Sequence, residues 1–246
     1  FVPLYWQRMQ HPDRDIAVMS VQPFDHWFDL LPGQAPKIVD QAKAMKHAFL
    51  ADARGYARDY RIQGLMYWDK WEHFPDRPLR DIASQLRENL NRRTAQQSVT
   101  TPEIVVLGRG HTPDFYVEKS TKPYGSSKRN IPNLDEVVKL LSEDHSVEIV
   151  DGASTSPEEM FLKCSKARLI LGQHGAGLTN VFFATPGAAM LEVVWPEFLD
   201  NAHINIYGPL CEELGVRWSR PVLQRDPHST VSTAEVRIEV QQLIEK

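Results

Sequence analysis

The sequence predicts an α/β fold that contains a parallel β-sheet. After residue 103, short apolar segments alternate with helical patterns, the order expected of successive strand and helix units. The apolar segments, such as residues 169–171, lack the polar alternation of half-exposed strands, so we expect helices on both faces of the sheet. A polar stretch at residues 94–103 comes before this pattern and indicates a linker. We therefore predict two domains, residues 1–100 and 101–246.

The individual elements follow from hydrophobic periodicity. In the C-terminal half, strands are predicted at residues 104–107, 147–150, 169–171 and 188–194, and helices at 133–141, 157–166, 203–214 and 233–245. In the N-terminal half, a strand is predicted at residues 16–21, and helical patterns cover about residues 37–60 and 77–91. This order makes the C-terminal domain Rossmann-like, with a last helix that we expect either on its own sheet or packed back on the first domain.

Polar residues follow the first predicted strand. Asp25, His26 and Asp29 lie together there, and the three-residue spacing of His26 and Asp29 places them on one face of a helical turn. A carboxylate in that position can orient an imidazole or raise its basicity, which suits a general base. The alternative is that the neighbouring aromatic and leucine side chains form a core and these polar residues only cap it.

A second aromatic segment, at residues 65–74, carries Trp68 and Trp71 among acidic side chains. Flat aromatic faces beside carboxylates suit a sugar, whose C–H groups stack on the rings while its hydroxyls bond to the acids. Trp68 and Trp71 are therefore candidates for an acceptor-binding platform, and Asp69 is a further candidate base, with Glu72 and His73 nearby. The alternative is a helix whose two tryptophans pack inward.

Glycines cluster after the predicted strand at residues 169–171. Gly172, Gly175 and Gly177 allow a tight turn, and Thr179 and Asn180 stand where a helix would begin. The free N–H groups of a first helical turn attract an anion, so we predict a phosphate site. One alternative is a turn whose glycines only permit close packing. Another is a dinucleotide site with Glu192 on the ribose, although the spacing does not satisfy GxGxxG.

A long loop at residues 108–130 carries five basic side chains. Arg109 follows the first strand of this half, and Lys128 and Arg129 precede its first helix. We expect these three cations to clamp a diphosphate by charge and paired hydrogen bonds. Lys119 and Lys122 are interpreted as exposed surface charge.

The composition limits the classes of function. The chain of 246 residues is 42% hydrophobic and 24% charged with a net charge of −4, values of a globular protein without general attraction to nucleic acid or anionic membranes. No apolar run reaches the roughly 18 residues of a membrane span. The two cysteines lack metal or redox spacing, so we expect buried thiols and no metal site. The absence of a glycosylation sequon favours the cytoplasm, whereas an anchor preceding Phe1 would favour the Golgi or endoplasmic reticulum lumen.

The motifs together resemble those of glycosyltransferase family 61. They comprise Arg109, Arg129-x-Ile-Pro-Asn-x-Asp-Glu-Val, the segment HGAGLTN at residues 174–180, and LEVV at residues 191–194. The family includes plant xylosyl- and arabinosyltransferases and animal O-linked N-acetylglucosaminyltransferases. The resemblance implies an inverting enzyme with a GT-B fold of two Rossmann-like domains, the N-terminal one here short or incomplete. It also implies a nucleotide-sugar donor, with no metal and no other cofactor.

The resemblance also implies roles for individual residues. Arg109 and Arg129 would hold the diphosphate, and Glu192 would bind the ribose hydroxyls. The remaining donor residues would be His174, Gly175, Ala176, Gly177, Leu178, Thr179 and Asn180. We expect a UDP-sugar donor, xylose before N-acetylglucosamine or arabinose, and a glycan or glycoprotein acceptor. Asp29 and His26 are favoured as the base, followed by Asp25 and Asp69; the alternatives are a dinucleotide-dependent oxidoreductase and a non-catalytic glycan-binding module.

Overall fold

The chain divides into two units, Phe1–Arg93 and Thr94–Lys246. The computed structural model describes residues 17–19, 29–31, 33, 35, 37–39, 79–110, 129–152, 154–199 and 207–245.

The N-terminal unit contains two short parallel strands, β1 (Ala17–Met19) and β2 (Lys37–Val39). They pair in the register Ala17↔Lys37 through Met19↔Val39. The helical pattern predicted from about residue 37 is therefore wrong at its start. Ile38 and Val39 are β-branched, and pairing with β1 satisfies their backbone groups, so the extended conformation is favoured over the helix. Residues 40–60 of that prediction lie outside the described residues.

A sixteen-residue helix, α1 (Leu79–Thr94), follows and confirms the helical pattern predicted at residues 77–91. Its buried side chains recur at helical spacing, at Ile82, Leu86 and Leu90, so one face is apolar. Asp81 in the first turn and Arg93 in the last turn have the charges that the helix dipole favours.

The C-terminal unit is built on a parallel sheet, as predicted, and the sheet has five strands. Its strands are β3 (Ile104–Gly108), β4 (Val147–Asp151), β5 (Leu169–Gln173), β6 (Ala189–Val193) and β7 (Arg217–Ser219). They pair in parallel in the order β4-β3-β5-β6-β7. Strand β7 was not predicted, because its three residues are half-exposed and form no apolar run.

The order of the strands in the sheet reverses between β3 and β5. The chain goes from β3 to β4 on one side and then returns to place β5 on the other side of β3. In doubly wound sheets, ligands bind outside the carboxyl ends of the two strands at which the order reverses. In this sheet those strands are β3 and β5, and the residues that follow them directly are Arg109 and His174.

Helices cover the sheet. They are α2 (Leu134–Leu141), α3 (Pro157–Cys164), the 3₁₀ helix Ala176–Phe183, α4 (Pro196–Leu199), α5 (Tyr207–Leu214) and α6 (Thr233–Ile244). Side chains of α2 and α6 join those of β3, β5 and β6 in one core cluster. Every second residue of these strands, such as Val105 and Ile170, is also buried and points to the opposite face. The α/β prediction is confirmed.

Local sequence signals explain where two of the helices begin. Ser156 caps α3 by accepting a hydrogen bond from the Glu159 backbone N–H at 3.2 Å, and Pro157 occupies the first helical turn. Ser232 caps α6 in the same way.

Cys164 and Cys211 are both buried and unpaired, as predicted, and burial raises the pKa of each thiol to about 12. Every helix in the described ranges is too short or too polar to cross a bilayer.

Candidate anion-binding site

Arg109 turns back over the end of β5. Its Nη2 donates a hydrogen bond to the carbonyl oxygen of His174 at 2.8 Å and lies 3.5 Å from the carbonyl oxygen of Gln173. These contacts join the residue that follows β3 to the end of the neighbouring strand β5. The guanidinium is thereby fixed at the point where the strand order reverses.

Arg129 approaches the same point from the segment before α2. Its guanidinium carbon lies 5.9 Å from the ring centroids of Trp195 and of Phe198, within the range of a cation–π contact. Its Nε is buried without a hydrogen-bond partner in the described part of the chain. The side chain is therefore positioned by packing against two aromatic rings, and part of its hydrogen-bonding capacity is unused.

The two guanidiniums converge on Gly175. A Cβ atom added to this glycine would lie 2.0 Å from Nη2 of Arg109 and 3.3 Å from Nη2 of Arg129. Gly175 is buried, whereas the following Ala176 and Gly177 are exposed. The missing side chain of Gly175 thus leaves room for both cations beside the backbone of the glycine turn.

The other two glycines of this turn differ in role. A Cβ at Gly172 would lie 3.1 Å from Cδ2 of Leu178 and 3.2 Å from Cβ of Leu107, so this glycine permits close packing of strand and helix. A Cβ at Gly177 would meet nothing within 4 Å. The close-packing alternative is therefore correct for Gly172, while the space at Gly175 is filled by cationic side chains.

The helix after the turn differs from the prediction. It begins at Ala176, with Gly175 as the preceding cap residue, and it is a 3₁₀ helix. Leu178 N–H donates to Gly175 O at 3.0 Å, and the Asn180 side chain donates to Gly177 O at 2.9 Å. Thr179 and Asn180 were predicted to start the helix but lie inside it. The bond from Leu178 closes a three-residue turn, which is tighter than the first turn of an α-helix.

Burial and repulsion act on the charges of this site. Burial, followed by repulsion from Arg129, lowers the pKa of the Arg109 guanidinium to about 10, and Arg109 stays protonated at neutral pH. Burial also lowers the pKa of Arg129. Among the described residues, no carboxylate forms an ion pair with either guanidinium. Two partly buried cations without an acidic partner are electrostatically unfavourable, and a bound anion would relieve this.

Tyr207 of α5 fixes the glycine turn from the side. Its hydroxyl donates to the carbonyl oxygen of Gly175 at 2.5 Å, and the residue is almost fully buried. Burial raises the pKa of this hydroxyl, so it remains a donor at physiological pH. The carbonyl of Gly175 is thereby satisfied inside the protein.

An amide network holds the segment that carries Arg129. The backbone oxygen of Asn130 accepts from the side chains of Gln173 at 3.2 Å and Gln224 at 2.9 Å. The Asn130 N–H donates to the carbonyl oxygen of Pro227 at 2.9 Å. Beside this network lies a cavity of about 140 Å³, lined by Leu107, Arg109, Asn130, Ile131, Pro132, Leu134 and Gln173. The cavity adjoins the guanidinium of Arg109.

Glu192 lies at the same edge of the sheet but is only 1% exposed. Its Oε1 contacts Nδ1 of His174 in a short hydrogen bond and lies 3.8 Å from Nε of Arg220. Its Oε2 accepts from Trp218 Nε1 at 3.0 Å. Both carboxylate oxygens therefore have protein partners.

Most of the chain matches a known protein family. The model of the family described as Glycosyltransferase 61 matches residues 24–191, which is more than half of the chain. The chain belongs to glycosyltransferase family 61. The resemblance seen in the motifs is thus confirmed, and the protein is a glycosyltransferase. No curated protein matches the chain.

The structure brings together one group of predicted donor residues. Arg109, Arg129 and His174 meet around Gly175, whereas Lys128 lies outside the described residues. Leu178 is buried in the 3₁₀ helix, and Thr179 is half-buried. The donor roles of all these residues remain predictions.

The predicted acceptor residues and most base candidates lie outside the described residues. They are Asp25, His26, Trp68, Asp69, Trp71, Glu72 and His73. Asp29 is described and exposed, in a short turn of the N-terminal unit. Its carbonyl oxygen accepts from Arg93 Nη1 of α1 at 2.5 Å, and the carbonyl oxygen of Leu30 accepts from Asn89 at 3.2 Å. The backbone of Asp29 is thus anchored, and its carboxylate is open to solvent.

Sequence reasoning missed the supporting side chains. The predicted site residues did not include Tyr207, Gln173 or Gln224. They also did not include Trp218 and Arg220, the other partners of Glu192. A single sequence gave no signal for them, because each acts through a contact between distant parts of the chain. In the described ranges, no cluster of three or more His, Cys, Asp or Glu side chains has metal-binding geometry.

Proposed function

We propose that this glycosyltransferase is inverting and metal-independent, and that it binds the diphosphate of a UDP-sugar between Arg109 and Arg129. The observation that carries the proposal is the convergence of these two guanidiniums on Gly175 at the reversal point of the sheet. Neither cation has an ion-paired acid in the described ranges, so a diphosphate would supply the missing negative charge. Exposed backbone at Ala176 and Gly177 adjoins this position.

The proposed reaction needs cations at this place. The acceptor hydroxyl oxygen attacks the anomeric carbon, the bond from that carbon to the diphosphate oxygen breaks, and its electron pair leaves with the diphosphate. Arg109 and Arg129 stabilise the negative charge that grows on the leaving group, a role that a metal ion fills in other transferases. Attack from the opposite face inverts the configuration of the anomeric carbon.

A general base must accept the proton of the acceptor hydroxyl. We propose that the N-terminal unit supplies it, with Asp29 and His26 favoured over Asp25 and Asp69. The support is chemical, because the base acts on the face of the sugar opposite the diphosphate and must come within about 3 Å of the hydroxyl. The exposure of Asp29 is compatible with this role.

We further propose xylose as the first choice of donor sugar, before N-acetylglucosamine or arabinose, and a glycan or glycoprotein as acceptor. Trp68 and Trp71 are the proposed acceptor platform, and a GT-B arrangement with a short N-terminal domain is the proposed architecture. These choices rest on the resemblance to family 61 and on the sugar-binding chemistry of aromatic rings.

A ligand screen tests the proposal. Thermal melting is measured with UDP, UDP-xylose, UDP-N-acetylglucosamine and NAD, since a ligand at 100 times its dissociation constant stabilises the folded protein by roughly 2.7 kcal/mol. UDP and a UDP-sugar should raise the melting temperature and NAD should not. Products formed with a panel of glycan acceptors are then analysed by NMR for the anomeric configuration. A response to NAD alone would replace the proposal by an oxidoreductase, and binding of glycans without transfer would indicate a binding module.

A further inference from the structure

Three side chains surround the carboxylate of Glu192, and two of them form hydrogen bonds with it. His174 follows β5, while Trp218 and Arg220 belong to or directly follow β7. The indole N–H is a donor only, so Oε2 is the acceptor in its bond with Trp218. Glu192 itself is 1% exposed. A ligand hydroxyl could reach this carboxylate only if the side chains that bury it moved.

The contact with Glu192 determines which ring nitrogen of His174 carries the proton. Arg220 Nε lies 3.8 Å from the same oxygen that Nδ1 contacts. An ionised carboxylate only accepts, so Nδ1 must be the donor. Burial lowers the pKa of the His174 imidazole, against the opposing effect of Glu192, so the neutral ring is favoured. Its Nε2 then carries a lone pair.

The ring of His174 is held in a defined orientation. Its centroid lies 4.4 Å from that of Phe198 and 5.7 Å from that of Tyr207. Its own carbonyl oxygen is bonded to Arg109, and Gly175 follows it in the chain. Among the described residues, the bond between Nδ1 and Glu192 is the one hydrogen bond of the His174 ring. The lone pair of Nε2 therefore belongs to the residue directly before Gly175, on which both cations converge.

We infer that Glu192 is a positioning residue that does not touch the donor: it holds His174 so that Nε2 accepts a hydrogen bond from a hydroxyl group of the bound nucleotide-sugar. The inference rests on the proposed function and assigns the hydroxyl contact to His174 in place of Glu192.

The tautomer of His174 provides a test that needs no ligand. Long-range ¹H–¹⁵N correlation spectra of protein labelled at histidine are recorded without nucleotide, and His174 is assigned with the H174N variant. We expect a proton on Nδ1 and none on Nε2 in the wild type, and a changed or mixed tautomer in E192Q. W218F removes the other hydrogen bond of Glu192 and should keep the wild-type pattern. A proton on Nε2 of wild-type His174 overturns the inference, whether or not E192Q folds.

Binding of UDP-xylose separates a positioning role from a direct contact. H174N keeps a side-chain donor toward Glu192 but lacks Nε2, and we expect it to weaken binding about tenfold, as E192Q should. Because both changes remove the same contact, the double variant should also lose about tenfold. A loss of about a hundredfold, or unchanged affinity in both single variants, overturns the inference. If the wild type binds neither UDP nor UDP-xylose, the proposed function fails, and the histidine spectra still decide the role of Glu192.

Discussion

The Nη2 atom of Arg109 donates to the carbonyl oxygen of His174 at 2.8 Å, so the first residue after β3 is tied to the first residue after β5. This bond crosses the point where the strand order reverses. The bond orients the buried Arg109 cation. Backbone carbonyls accept hydrogen bonds from this cation, and no acid in the described ranges forms an ion pair with it.

Replacing Arg109 by alanine should weaken UDP binding more than tenfold. The lost contact is charge-assisted and partly buried, which corresponds to about 2 kcal/mol of binding free energy. Isothermal titration calorimetry measures the change. R237A is the matched control, because Arg237 lies on α6 and pairs with Glu143 and Asp144 at the surface. Equal UDP affinity in R109A and wild type would show that the diphosphate binds elsewhere.

Gly175 and Gly177 of the turn should respond differently to alanine. In G175A the new methyl group would occupy a position 2.0 Å from the Arg109 guanidinium, which must then move away. UDP affinity should fall about tenfold, the effect of losing a charge-assisted contact. In G177A the methyl group meets nothing within 4 Å, so affinity should stay close to that of the wild type. Similar affinities in the two variants would contradict the proposed position of the anion.

Removing the hydroxyl of Tyr207 should destabilise the C-terminal unit. Y207F keeps the buried ring but removes one of the two hydrogen bonds to the carbonyl of Gly175, the other being the bond from Leu178 N–H, at a cost of about 1 kcal/mol. Urea denaturation compares the free energy of unfolding with that of the wild type, and the melting temperature should fall in parallel. An unchanged free energy of unfolding would mean that water replaces the hydroxyl and that the turn does not depend on α5.

Transfer should continue in excess EDTA. The proposed leaving-group stabilisation comes from Arg109 and Arg129, which a chelator does not affect. Initial rates of sugar transfer are compared with and without EDTA in metal-free buffer. Loss of activity with EDTA, followed by recovery with manganese or magnesium, would assign the stabilisation to a metal ion.

Changing the base should lower turnover and leave donor binding nearly intact. For D29N, and for H26A, we expect kcat to fall roughly 10²-fold or more with little change in UDP affinity, because the base acts in the transition state. Steady-state kinetics and calorimetry give the two quantities. If both variants keep near-normal turnover while D69N loses it, the base belongs to the aromatic segment at residues 65–74.

Sequence patterns predicted most of the C-terminal unit because its signals are local. The segments that form β3, β5 and β6 consist almost entirely of apolar residues. Ser156 and Ser232 are the N-cap residues of two helices. The strand at residues 37–39 and strand β7 were missed. Each is three residues long and is defined by pairing with a distant strand, which a short window of sequence does not contain.

The candidate site was predicted in part for the same reason. Arg109, Arg129 and the glycine turn were found from their positions at strand ends and before a helix. The environment of Glu192 was not, because its partners Trp218 and Arg220 are 26 and 28 positions further along the chain and carry no motif. The ribose role predicted for Glu192 was based on its place at the sheet edge, and the structure places Glu192 at that edge. The sequence did not reveal that Glu192 is buried there.

The network around Asn130 sets a limit on how far the protein can be shortened. A fragment that ended at residue 191, where the family match ends, would retain Arg109, Arg129 and Gly175. It would lack Gln224 and Pro227, whose contacts fix Asn130 and with it the segment that carries Arg129. Such a fragment would hold the groups proposed to contact the ligand, without the part of the chain that orders them. Any minimal donor-binding fragment must therefore extend beyond β7 to include residues 224–229.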